Sequence, residues 1–100
     1  MSIEALQQYS ASHRELVLSL PKALEALAAY EAKGVKVQGW EGWLRYPDGR
    51  LGHSRVHQGT AGGPWERPDL ARTMQEAQAE HDREPERPGT ELLFSITAGA

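Results

Sequence analysis

The sequence contains no cysteine and no asparagine, only one phenylalanine, and only three lysines against eight arginines. Without cysteine there is no disulfide framework, no zinc ribbon and no thiol chemistry. No apolar run approaches the ~20 residues that a membrane-spanning helix requires. The first residues, Met1-Ser2-Ile3-Glu4, lack the basic and apolar segments of a signal peptide. A soluble, cytoplasmic protein is the expectation, with no membrane contact.

What is present is an ordinary globular composition, 39% hydrophobic and 25% charged over 100 residues. That length predicts a single domain, residues 1–97, with 98–100 as a frayed tail. The net charge is −3, unevenly spread. Residues 35–60 carry four basic and two acidic side chains, while 61–100 carry four basic and eight acidic ones. The cationic part is therefore the middle of the chain.

That middle reads as a β-hairpin. In Tyr46-Pro47-Asp48-Gly49-Arg50, proline presets its φ, aspartate tolerates the next turn position and glycine supplies the left-handed residue. A three-residue loop with a glycine bulge sets Tyr46 against Arg50. Counting back pairs Leu44 with Gly52, Trp43 with His53, Gly42 with Ser54, Glu41 with Arg55, and Trp40 with Val56. Alternation then puts Trp40, Leu44, Tyr46 and Val56 on a face packed by helices, with Gly42, Gly52 and Ser54 leaving room. The other face carries Val37, Glu41, Trp43, Arg45, Leu51, His53, Arg55 and His57.

Around the hairpin the periodicity is helical. Ile3, Leu6, His13, Leu16, Val17 and Leu20 repeat at helical spacing, with a break near Ser10 and a second start at the Ser12–Glu15 capping box. Pro21 belongs to the first turn of a second helix that runs to Lys33 and ends on Gly34. Pro68-Asp69 opens a third helix with Leu70, Met74 and Ala77 inward, fading at His81. Thr90–Thr97 alternates as a strand. The order α-α-β-β-α-β predicts an α+β fold with a three-stranded antiparallel sheet in order 2-1-3 and helices on one face. Strands two and three would both be edges, making a homodimer through a sheet edge available.

Chemical motifs are sparse. Four residues of extended chain separate His53 and His57 by ~13 Å, too far to share a metal ion. The glycine-rich Gly59–Pro68 segment lacks the Gly-Lys-Ser/Thr ending of a phosphate loop. Trp65 within it is expected to plug the edge of the core. Ser54 and His53 point to opposite sides of one strand, which defeats a Ser–His pair. No catalytic residue, metal site or cofactor is assigned. The residues that stand out are Glu41, Trp43, Arg45, His53, Arg55 and His57. Tryptophan and arginine are the types most enriched at binding hot spots, so this face predicts a protein-interaction module: an adaptor, inhibitor or regulator with an unidentified protein partner. Nucleic-acid or small-anion binding by the basic hairpin is the alternative, disfavoured for nucleic acid by the acidic remainder of the chain. A small enzyme using His53, His57 and Glu41 is the second alternative.

Overall fold

Two faces of one antiparallel sheet organise the molecule, and the helices among the described residues lie on one of them. The computed structural model describes residues 3–12, 15–60 and 69–98. Chain order is α1 (Ile3–Leu6), a 3-10 turn (Gln7–Tyr9), β1 (Val17–Leu18), α2 (Leu20–Ala32), β2 (Val37–Arg45), β3 (Leu51–Thr60), α3 (Leu70–Arg83) and β4 (Glu91–Ala98). The sheet order is β1-β4-β2-β3, antiparallel throughout.

The sheet thus has four strands rather than three. The three foreseen strands keep the foreseen arrangement, with the first hairpin strand in the middle. The extra strand comes from Val17 and Leu18, which pair with Ser95 and Phe94 instead of continuing a helix. Ser10 explains the switch. Its hydroxyl accepts from the Val17 N–H at 2.8 Å and is hydrogen-bonded to the carbonyls of Ser12 and Glu15, both at 2.9 Å. A short polar side chain that satisfies nearby backbone competes with helix, and here it folds the chain back on itself. Consequently β4 is not an edge strand. Ala98, expected to fray, pairs with Val37. His13, Trp65 and the rest of 61–68 fall outside the described residues, so the roles foreseen for them stay expectations.

The second helix starts with proline in its first turn, and Gly34 follows its end at φ +72°. In α3 the Asp69 carboxylate accepts from the Arg72 N–H at 3.1 Å, closing the N-terminus. The helix does not fade at His81 but continues to Arg83, with His81 buried one turn beyond Ala77. Leu6, Ala23 and Ala26 from the first two helices and Met74 and Ala77 from α3 meet Trp40, Leu44, Leu92 and Phe94 from the sheet. Alanines at 23 and 26 let α2 approach closely. Trp40 is 3% exposed, meets Phe94 edge-on at 5.2 Å, and donates its indole N–H to Thr73 Oγ1 at 2.9 Å. Such an aromatic pair contributes about 0.5–1.5 kcal/mol beyond its buried area.

The hairpin turn closes as its residues dictate. Tyr46 N–H donates to the Arg50 carbonyl and Gly49 N–H to that of Tyr46, both at 2.8 Å, with Gly49 at φ +89°. Arg45–Leu51, Leu44–Gly52 and Trp43–His53 pair in the foreseen register. Beyond Gly42 the register changes: Glu41 pairs with Gln58 rather than Arg55, and Trp40 with Gly59 rather than Val56. Three extra residues of β3 are looped out. Because three is odd, the faces exchange. Val56, placed in the core by counting, is 59% exposed, and His57, placed on the polar face, is 6% exposed.

Two glycines fix this bulge. A Cβ at Gly42 would lie 2.6 Å from the His57 carbonyl oxygen, so only glycine admits the folded-back strand. At Gly59 a Cβ would lie 2.4 Å from Trp40 Nε1, because the indole covers that position. The core tryptophan demands glycine opposite, and the nearest glycine on β3 is three residues further along than simple pairing allows.

Candidate interaction face

Opposite the helices, β2 contributes Glu41, Trp43 and Arg45, β3 contributes His53 and Leu51, and β4 contributes Glu91, Leu93 and Ser95. Trp43 is the centre. It pairs directly with His53 on one side and Leu93 on the other. Its indole N–H reaches diagonally to Ser95 Oγ at 2.8 Å, and the His53 ring lies against it with centroids 4.0 Å apart, tilted by 34°. Leu93 and Ser95 are buried although they lie on the side away from the helices. The indole is therefore fixed at both ends of its reach, half-buried and rigid.

Charges surround it in a fixed pattern. Arg45 Nε donates to Glu91 Oε1 at 2.8 Å, tying the ends of two paired strands. Glu41 and His53 are both exposed, with Oε2 and Nδ1 3.8 Å apart, beyond hydrogen-bond length. At the hairpin tip Asp48 holds Arg50 Nε at 2.7 Å. The Arg50 N–H, more than its guanidinium, keeps the Asp48 carboxyl below its ordinary range. Two of the four cationic side chains in 35–60 are thereby paired with carboxylates.

Of the six residues singled out in the sequence, four share this face: Glu41, Trp43, Arg45 and His53. Arg55 is exposed on the bulge, and its cross-strand pairing with Glu41 is not made. His57 is removed from the face altogether. Its ring turns to α3 and meets His81 edge-on with centroids 6.3 Å apart. His81 Nε2 bonds the Thr90 carbonyl at 3.1 Å, which assigns the proton to Nε2. Its Nδ1 is buried without a partner among the described residues.

Four residues that matter to the site escaped the sequence reading. Ser95 and Glu91 are legible only once the register of β4 against β2 is known, although strand alternation already separates Ser95 from Leu92 and Phe94. Glu86 and Ser54 hold the bulge together. Ser54 Oγ donates to Glu86 Oε1 at 2.7 Å and accepts from the N–H groups of Val56 and His57 at 3.2 and 2.9 Å. Glu86 Oε2 accepts from the Arg55 N–H at 3.1 Å. Partial burial raises the Glu86 carboxyl, but the Ser54 hydroxyl, the Arg55 and Val56 N–H groups and nearby His57 together outweigh it and hold the group below 4.5.

Two shallow depressions flank Glu41. One, about 210 Å³, is lined by Glu41, Gly42, His53, Ser54, His57 and Gln58. The other, about 260 Å³, includes Glu15, Tyr30, Glu41 and Ser95. Both are smaller than the ~300–1,000 Å³ of typical small-molecule clefts. The Ser54 hydroxyl is committed to Glu86 rather than to a histidine. The described residues contain no group of three or more His, Asp or Glu placed to hold a metal ion, and no described helix is long and apolar enough to cross a membrane.

The chain matches no protein family, curated protein or solved structure with which it was compared. The fold class is α+β with a four-stranded antiparallel sheet, and any functional reading rests on the geometry of its outer face.

Proposed function

We propose that the chain is a protein-interaction module whose contact surface is the outer face of the sheet, with Trp43 as anchor. Glu41, Arg45 and His53 surround the anchor, and Arg55 stands at the rim. The observation that carries this reading is the held indole: bonded to Ser95 and packed against the tilted His53 ring, Trp43 presents a half-buried aromatic surface already set in one orientation, so less side-chain freedom is lost on binding. Rigid aromatic anchors surrounded by polar groups are what concentrate binding energy at protein interfaces. The small depressions favour a macromolecular partner over a small molecule. Pairing of Arg45 with Glu91 and of Arg50 with Asp48 halves the free positive charge of the hairpin, which favours protein over a phosphate backbone.

The test is affinity capture from a lysate of the native source, with nuclease added. The wild type is compared with Glu41→Ala/His53→Ala, two exposed positions where the main cost to the fold is the cross-strand His53–Trp43 contact, about 0.2–1 kcal/mol. Glu25→Ala, exposed on α2, is the control. A protein retained by wild type and control but lost from the double variant is the expected result. The same set on all three baits would remove the face from the account. A set that vanishes with nuclease would transfer the face to nucleic acid.

A further inference from the structure

The bulge of β3 has a property separate from the outer face. It binds a carboxylate with both oxygens: Ser54 Oγ–H takes Glu86 Oε1 and the Arg55 N–H takes Oε2. The Ser54 hydroxyl is itself polarised, because it accepts from the Val56 and His57 N–H groups. Two donors thus reach the carboxylate, the Ser54 hydroxyl and the Arg55 N–H, and the Val56 and His57 N–H groups act on it through the hydroxyl they bond. The exposed Arg55 guanidinium has no ion pair among the described residues. A loop staple alone needs only a neutral acceptor, yet this arrangement favours the charged form of its occupant against the cost of burying it.

We propose that Ser54–His57 is an oxyanion site that takes a carboxylate or phosphate group and that the chain's own Glu86 fills it in the free protein. Glu86 sits on the connector between α3 and β4, so it competes as an intramolecular ligand at high effective concentration. Free small anions therefore do not displace it. An acidic group delivered by a molecule with further contacts to β3 does, and it frees the connector as it binds. The anion site and the Trp43 face share only Arg55 at their border, and the tests of the two use different residues, so each stands or falls separately.

The test uses the full chain with Glu86→Ala, followed by amide NMR at Arg55, Val56 and His57 while acetate and then inorganic phosphate are added. Saturable shifts at these three amides in the variant, absent from wild type, are expected. Saturation by acetate but not phosphate assigns the site to carboxylates, and the reverse to phosphates. Adding Ser54→Ala should weaken binding by about tenfold or more, the loss of one hydrogen bond to a charged group. Glu86→Gln supplies the second arm: a neutral occupant lacks the charge that makes Glu86 a strong competitor, so the same shifts appear with weaker apparent affinity than in Glu86→Ala. If Glu86→Ala does not fold, the Gln variant decides. Shifts that stay linear with concentration, or that persist unchanged with Ser54→Ala, overturn the site.

Discussion

Trp40 and Trp43 lie three positions apart in one strand, and both satisfy their indole N–H with a hydroxyl. Thr73 on α3 serves the first and Ser95 on β4 the second. An odd spacing sends them to opposite faces. Trp40 is enclosed by helices, Phe94 and Gly59. Trp43, on the other face, has the exposed His53 ring against it. Equivalent hydrogen bonding thus serves two different positions of one residue type: the inner indole closes a core, and the outer one, the anchor proposed above, lies half-buried on the open face. What separates them is the layer above, not the local sequence.

The largest effect expected from breaking this contrast is at the inner ring. Trp40→Ala removes a buried indole, empties the space over Gly59 and takes the indole donor from Thr73 Oγ1, whose hydroxyl still donates to the Leu70 carbonyl. A loss of about 3–5 kcal/mol is expected, which is a large part of a small domain's stability. Urea unfolding measures it directly. Next comes Gly42→Ala, which sets a methyl group 2.6 Å from the His57 carbonyl. The strand must open, and a loss of about 1–3 kcal/mol is expected by the overpacking rule. His57 should become accessible in that variant, seen as faster amide exchange along 54–57.

A smaller effect, with a pH signature, is expected at the bulge. Glu86→Gln should cost on the order of 1 kcal/mol at neutral pH, the lower end for hydrogen bonds to a charged group because the site is partly exposed. The sign follows from the direction of its shift. A carboxyl held below its ordinary 4.5 in the folded chain stabilises the fold fully above that value. The contribution is lost as pH falls through the lower folded value. The difference between wild type and Glu86→Gln should therefore be constant above about pH 5 and shrink in acid. A difference that persists unchanged in acid would assign the effect to packing. The smallest change in stability is expected for Glu41→Ala/His53→Ala, about 0.2–1 kcal/mol from the lost cross-strand contact with Trp43, although this variant is the one expected to lose the partner.

How far the sequence reveals the architecture is clearest along β3. Near the turn, Pro47, Asp48 and Gly49 dictate the geometry, and the pairs Arg45–Leu51 through Trp43–His53 follow by counting. Beyond Gly42 counting fails, because the register there is decided by distant residues. Trp40 needs a glycine beneath it, and Glu86, on the connector before β4, must reach back to cap the bulge. Neither requirement has a local signature. The same reason hides β1: Val17 and Leu18 fit a helical repeat, and only the hydroxyl of Ser10 and the open edge of β4 divert them. Glu41, Trp43, Arg45 and His53 could be grouped from alternation together with the register that the turn sets. His57 could not be removed from that group without knowing the bulge, and Ser95 could not be added without the register of the last strand.

The most direct test of the contrast between the two tryptophans is partner retention by Trp43→Phe, measured in the capture assay beside Trp40→Phe. The account predicts that Trp43→Phe stays folded and loses the protein that wild type retains. Trp40→Phe should retain that protein at temperatures below its lowered unfolding midpoint. Undiminished capture by Trp43→Phe, or a fall in its midpoint as large as that of Trp40→Phe, would mean that the outer indole is a second piece of core rather than a binding anchor.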